Sequence, residues 1–312
     1  MIRIGVVNID TSHPLAFARA LEQGSRARYA AVYNDGFRGD DEVEAFIRNH
    51  GLEARCGSVE ELAEKADIGF IQGCDWDKHL DYALPFIARG KPVFLDKPVV
   101  GSLADCRRLE ALAARGAVVL GSSSVRYAEE IEAFLARPEK ERGRILHVFG
   151  TAGTDEFNYG IHIVEAIGAL VGQGAVSTTF VGAAEAEGRR VETFFVRFEG
   201  GPTAVYNTCR GVWQPFEIVV ITTKSTFAFR IDTSKIYAAL LDRLCDTLET
   251  GQNRLASVAA LTESIEIMLA GRLSRERGGE VRRADIPDDD PGFDGGAFAR
   301  DYARSAAKIY LE

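Results

Sequence analysis

The chain has 312 residues, of which 46% are hydrophobic and 27% charged, with a formal net charge of -9. That length predicts two domains, and the acidic balance excludes a general nucleic-acid binder, whose surface is basic. The five cysteines (56, 74, 106, 209 and 245) stand apart, which suits a reduced cytoplasmic protein better than a disulfide or zinc framework. No basic-then-apolar leader opens the chain and no apolar run reaches spanning length, so no membrane association is expected.

Short apolar runs punctuate the first 120 residues: IRIGVV (2–7), YAAVY (29–33), IGFIQG (68–73), PVFLD (92–96) and AVVLG (117–121). Amphipathic segments separate them, among them VEAFIRNH, SVEELAEKA, HLDYALPFIARG and LADCRRLEALAARG, with Gly90 and Gly116 placed to stop helices. Apolar runs flanked by helices predict parallel strands covered on both faces, a doubly wound α/β domain. After about residue 140 the rhythm changes. ILHVFGTAG predicts a strand, and NYGIHIVEAIGALVG a helix ended by Gly172. The runs VSTTFVGAA, VETFFVRF, TAVYNTC, FEIVVITT and TFAFRI, with Gly200-Gly201 as a hairpin turn, predict an open, mostly antiparallel sheet. Two long helices are expected near 235–250 and 255–275. The acidic, Gly-rich stretch 285–296 reads as a linker, and 296–311 as a last helix packed on a partner or on the first domain. The fold class expected is therefore α/β, with domains at 1–122 and 123–312.

The turn after the first strand, VNIDTSHP, has no glycine, although a phosphate-binding turn is expected there in a nucleotide-binding fold. Asp10, Thr11 and Ser12 are helix-capping residue types and Pro14 suits a first turn, so a self-capped helix is expected. Asn8 tolerates a left-handed backbone. The second strand ends in Asn34 and Asp35; an acid there can hold a ribose, which favours NAD, whereas Arg38 could meet a 2′-phosphate, and Asn-Asp-Gly is also an ordinary turn. GKPVFLDKP (90–98) brings Asp96 and Lys97 to the carboxyl edge of the sheet, where such folds bind ligands.

GKPVFLDKP resembles the Glu-Lys-Pro motif of the Gfo/Idh/MocA oxidoreductases. ADIGFIQGCDWDKHLDYALPFIARGKPVFLDKP is similar to that family's strand, Thr-Pro-Asn-x-x-His loop, helix and Lys-Pro strand, with His79 at the loop histidine and Asp75 and Trp76 replacing Pro and Asn. NYGIHIVEAIGALVG resembles its Asp-x-x-x-His segment, with His162 at the histidine, Asn158 at the Asp and Glu165 where a second Asp is common. LLDRLCDTLETGQ and the helix before GGEV resemble its closing helices. In that register the three fingerprint glycines fall at Asn8, Asp10 and His13, and all three are replaced.

The resemblance implies a Rossmann domain followed by an open-sheet α/β domain, with NAD or NADP and a sugar or polyol-like substrate meeting between them. It implies Lys97, His162, Glu165 and Asn158 as the catalytic set. Histidine titrates near neutrality and can take a carbinol proton, while an ammonium steadies the developing alkoxide. Glu165, on the same helix face, could orient the imidazole or meet a substrate hydroxyl. Cofactor contacts are implied at Asn8, Ile9, Asp10, Thr11, Ser12, His13, Asn34, Asp35, Cys74, Asp75, Trp76, His79, Asp96 and Lys97. Asp10 would confront a pyrophosphate with like charge. Ser122-Ser123-Ser124 reads as a helix start, with Arg126 a cleft residue by analogy. Two other readings stay open. One is a cofactor-poor member that binds a metabolite as a sensor or accessory protein. The other is a metal-assisted lyase or isomerase drawing ligands from Asp10, His13, Asp75, Asp77 and His79, although no compact metal motif is present. A homodimer or homotetramer is expected, because the open sheet has a face to cover.

Overall fold

In the computed structural model, which describes residues 1–311, the first sheet comprises β1 (Ile2–Val7), β2 (Ala27–Tyr33), β3 (Ala54–Arg55), β4 (Ile68–Ile71), β5 (Val93–Leu95) and β6 (Val119–Gly121). Their order is β3-β2-β1-β4-β5-β6, and every neighbouring pair is parallel. The connecting helices are α1 (His13–Glu22), α2 (Asp40–His50), α3 (Val59–Lys65), α4 (His79–Ile87) and α5 (Leu103–Ala114). With helices on both faces, Ile4, Val6, Ile68, Phe70 and Phe94 are wholly buried, which is why these strands read as unbroken apolar runs. Ser58 and Ser102 start α3 and α5 by accepting the Glu61 and Asp105 N–H groups. The strand order reverses between β1 and β4, so their carboxyl ends border a crevice. β3 escaped the sequence reading because two residues carry no periodicity.

The second sheet has the order β12-β11-β7-β10-β9-β8-β13. Its strands are β7 (Ile145–Thr154), β8 (Ala175–Ala186), β9 (Arg189–Phe198), β10 (Thr203–Arg210), β11 (Glu217–Thr222), β12 (Thr226–Arg230) and β13 (Glu280–Arg282). Only β7 and β10 pair in parallel; the other pairs are antiparallel, and the predicted Gly200-Gly201 turn joins β9 to β10. Two short helices, α6 (Glu129–Ala136) and α7 (Glu139–Arg142), precede it. α8 (Gly160–Val171) and α10 (Val258–Arg277) pack on one face, burying Ile163, Ile167, Ile265 and Met268. On the opposite face Phe195, Val205, Phe149 and Val219 align across four strands and stay half-exposed.

The chain then returns to the first domain twice. α9 (Ile236–Thr250) packs against α1, and Arg26 pairs with Asp246 and Glu249, each at 2.7 Å. The expected linker at 285–296 is instead an anchored segment. Arg272 holds the buried Asp290 at 2.6 Å, Phe293 stacks on Phe157 with centroids 4.1 Å apart, and the Phe293 carbonyl accepts from Trp76 Nε1 at 2.7 Å. Its Asp, Pro and Gly content masked two burying side chains. The expected terminal helix, α11 (Gly295–Ser305), is shorter than predicted. Asp77 accepts the Gly295 N–H at its start, and the chain beyond runs on irregularly until Tyr310 is buried against Phe46.

Candidate active site

The β1–α1 turn solves its lack of glycine with side chains. Asn8 takes a left-handed backbone, φ 64°. Its side-chain oxygen accepts the Asp35 N–H at 2.9 Å and the Gly36 N–H at 3.2 Å, and its amide donates to Asp35 Oδ1 at 3.0 Å. Asn34 in turn accepts the Ile9 N–H at 3.2 Å. The expected self-capping does not occur. Ser12 holds the N-cap position without a side-chain bond, Thr11 Oγ1 accepts only the His13 N–H, and Asp10 turns away from the helix. The Asp10 carboxylate crosses the crevice floor to accept the Phe37 N–H at 3.2 Å and the Cys74 N–H at 3.1 Å. Burial raises its pKa against the opposing pull of those N–H groups and of Arg38. Two loops need their buried donors met, and Asp10 is the residue that reaches both.

Arg38 is committed elsewhere than to a phosphate: it is buried, pairs with Glu42 at 2.9 Å, and donates to the Asp10 carbonyl at 3.0 Å and the Ala307 carbonyl at 2.6 Å. Asp35 remains exposed on a cavity of about 380 Å³, with Asn8 and Tyr82 on one wall and Ala299 and Arg300 of α11 on the other. The Tyr310 hydroxyl donates to the Thr11 carbonyl, so the tail crosses directly over the turn.

The loop after β4 is largely occupied with packing. His79 is buried with both ring nitrogens on carbonyl oxygens, Gly73 at 2.9 Å and Val99 at 3.1 Å. Trp76 lies between Phe157 and Phe298, at 5.1 and 4.9 Å. Asp75 accepts the Asp77 N–H, and burial pushes the Cys74 thiol well up. His79 and Trp76, expected at the cofactor, therefore hold the loop and the tail.

The two domains meet where β5 ends. Lys97 Nζ donates to Asn158 Oδ1 at 2.7 Å and to its carbonyl at 3.2 Å, and lies 5.7 Å from the Tyr159 ring centroid. Burial lowers the Lys97 pKa, while Asp96 and Asp155 oppose that shift. Asn158 also donates to Asp155 Oδ2 at 3.3 Å. His162, on α8, is buried with Nδ1 2.6 Å from Ser123 Oγ; burial, then the nearby Lys97 and His13 charges, hold its pKa well below the ordinary 6.5. Glu165 does not orient that imidazole. It accepts from the Ser122 hydroxyl and from Arg126 Nε at 3.4 Å, so Ser123 does the orienting. His13 Nδ1 lies 2.7 Å from Asp96 Oδ2, and the His13 and His162 rings are 6.4 Å apart.

Sequence reasoning brought Lys97, Asn158 and His162 together and missed three neighbours. Ser123 was visible only as part of a helix-start run. Asp155, three residues before Asn158, could have been found as a carboxylate facing the same ammonium. Tyr237, 5.6 Å from the His13 ring at the start of α9, carries no local signal.

Residues 2–124 match the family described as "Oxidoreductase family, NAD-binding Rossmann fold", GFO_IDH_MocA. Inositol 2-dehydrogenase of Gluconacetobacter diazotrophicus is 40% identical over 63 residues, 20% of this chain and 19% of that protein. The Paracoccus denitrificans enzyme of the same name is 33% identical over 113 residues, 35% and 32% of the two chains. The chain thus aligns with under a third of either relative's length. Among solved structures, scyllo-inositol dehydrogenase from Lactobacillus casei with NAD(H) and scyllo-inositol superposes with a TM-score of 0.76 at 14% identity, over 91% of this chain and 99% of that one. The myo-inositol dehydrogenase of the same organism, with NAD(H) and myo-inositol, gives 0.75 at 15% identity, over 90% and 96%. These likenesses extend the shared fold to both domains, and residues 2–124 match the NAD-binding Rossmann domain of the Gfo/Idh/MocA oxidoreductase family.

Proposed function

We propose that the chain is an NAD(P)-dependent oxidoreductase acting on a secondary carbinol of a polyol or sugar-like substrate. The observation that carries this reading is the convergence of Lys97, Asn158 and His162, from both domains, beside the crevice at the β1–α1 turn. Three features fit a dinucleotide there. The Asp10 carboxylate points inward onto two N–H groups, which removes the clash expected with a pyrophosphate. Among the described residues no acceptor meets the Thr11, Ser12 or Leu15 N–H groups at the start of α1, the kind of donors that hold phosphates. Asp35 Oδ1 is taken by Asn8 and Tyr82, which leaves Oδ2 for a ribose hydroxyl.

A bound nicotinamide supplies the hydride acceptor. Lys97 holds the carbinol oxygen and steadies its developing negative charge. His162, kept neutral by burial and by the neighbouring Lys97 ammonium, has a nitrogen able to accept a proton, and Ser123 fixes its ring. Asn158, shared between Lys97 and Asp155, limits where the ammonium can point. The inositol substrates named for the similar dehydrogenases favour a ring polyol. A second copy covering the Phe149–Val205 sheet face would complete the assembly.

Fluorescence titration with NADH and NADPH, followed by turnover assays with NAD or NADP and myo- or scyllo-inositol, tests the reading. Saturable micromolar binding with reduced nicotinamide formed supports it. Failure to bind either dinucleotide would instead favour a metabolite-binding protein whose crevice is closed by the tail, a reading that the Tyr310–Thr11 and Arg38–Ala307 contacts would then explain.

A further inference from the structure

We infer that His13, held by Asp96, is a second acid–base group of this centre and the one that exchanges the substrate's hydroxyl proton; the inference rests on the oxidoreductase reading. His13 stands where the family register has the third fingerprint glycine, yet its ring serves neither the helix end nor a packing contact alone. Nδ1 is committed to Asp96 Oδ2 at 2.7 Å, and among the described residues no protein group meets Nε2. Asp96 cannot turn away, because its other oxygen accepts the Lys97 N–H at 2.8 Å and the side chain is buried. The ring is stacked on Phe17, 5.9 Å between centroids at 11°, and abuts Tyr237 at 5.6 Å. A carboxylate that fixes one imidazole nitrogen and leaves the other free makes a general base whose conjugate acid it then stabilises.

The groups facing His13 are Asp96 and Lys97 from the end of β5, His162 from α8 and Tyr237 from α9. His162 lies deeper, has Nδ1 on Ser123 and, among the described residues, has no carboxylate partner to stabilise an imidazolium. His13 has one, and its side chain is 13% exposed. In the oxidation, the carbinol O–H proton passes to His13 Nε2 while the carbinol C–H leaves as hydride to an oxidised nicotinamide dinucleotide. The O–H electron pair becomes the second bond of the carbonyl. Reduction of a ketone runs the same transfers backwards. Lys97 then serves as the fixed positive charge at oxygen, and His162 positions the substrate.

The test compares wild type, His13→Gln and Asp96→Asn as full chains with NAD and myo-inositol. His13→Gln is expected to lower kcat by about 10²–10⁴-fold while KM for myo-inositol changes little. Asp96→Asn, which keeps the imidazole and removes its carboxylate, is expected to lower kcat as well, because Nδ1 is no longer held in one orientation. Nitrogen NMR of the wild-type protein gives a reading independent of turnover: the His13 Nε2 signal should shift when myo-inositol is added to the NADH complex. Wild-type kcat in His13→Gln, or an unmoved Nε2 signal on polyol binding, overturns the inference. Should His13→Gln fail to fold, Asp96→Asn and the NMR experiment still decide. Absence of reduced nicotinamide from the wild type overturns the oxidoreductase reading itself and this inference with it.

Discussion

The β1–α1 turn and the Lys97–His162 centre lie at the same sheet edge but are built on opposite plans. The turn is held by side chains bonding to backbone groups: Asn8 to Asp35 and Gly36, Asn34 to Ile9, and Asp10 to Phe37 and Cys74. The centre is held by side chains bonding to one another: Lys97 to Asn158 and Glu165 to Ser122 across the two domains, and His162 to Ser123 at the start of the second. A backbone partner fixes local shape and is indifferent to which domain arrives later. A side-chain partner from another domain exists only when both domains are docked. The turn is therefore a structural device that leaves N–H groups free, and the centre is a chemical device that depends on assembly.

Substitutions on the two sides should separate accordingly. The largest effect is expected from Lys97→Met. Losing a preorganised charge at a developing oxyanion costs about 2.7–4 kcal/mol, or 10²–10³ in kcat. Thermal stability should change little, because methionine keeps the unbranched stem and removes a charge that burial disfavours. Steady-state kinetics beside a melting curve check this, and full activity would dissolve the contrast drawn here. Asp10→Ala should behave the other way. It strands the buried Cys74 N–H at about 1–3 kcal/mol and frees the partly buried Phe37 N–H, lowering the urea midpoint, while NADH still binds at the free turn donors. A large loss of NADH affinity without loss of stability would make the turn chemical after all.

The smallest effect concerns pH. The folded-state pKa of His162 lies well below 6.5, so below about pH 6.5 the unfolded chain takes up a proton that the native state refuses. Stability contributed by the neutral ring is present above that pH. It is lost as pH falls, by at most about 1.4 kcal/mol per unit. Urea midpoints between neutral and mildly acidic pH should fall less steeply in His162→Gln. An unaltered slope would show that His162 is not the group refusing the proton.

The sequence made the architecture legible wherever burial imposed a period. The five long apolar runs, the antiparallel series after 140 and the helices α8, α9 and α10 follow from residues that must face a core. The candidate site was reached through the resemblance of GKPVFLDKP and NYGIHIVEAIGALVG to a known pair of motifs, because a Lys beside an Asp or a His on an apolar helix reads as well, by itself, as a solvated pair or a packed ring. It was opaque where geometry decides among equivalent polar groups. Nothing in VNIDTSHP says that Asp10 bonds across to Phe37 rather than capping α1, or that His13 turns to Asp96. Both depend on how far β2, β4 and β5 extend beside β1. The 285–296 segment misled for another reason: its composition is that of a linker, and two residues, Asp290 and Phe293, supply the anchoring.

That anchored tail has a consequence in time. The strands of the first sheet are complete by Gly121, whereas Tyr310, which lies over Thr11, emerges roughly 190 residues later, about 10–40 s of synthesis at ordinary elongation rates. A growing chain that folds domain by domain would carry the β1–α1 turn through that interval with the Thr11 carbonyl not yet met by Tyr310. Ligand present in the cell at that stage would meet the turn without the contacts that Tyr310 and Ala307 add in the finished chain.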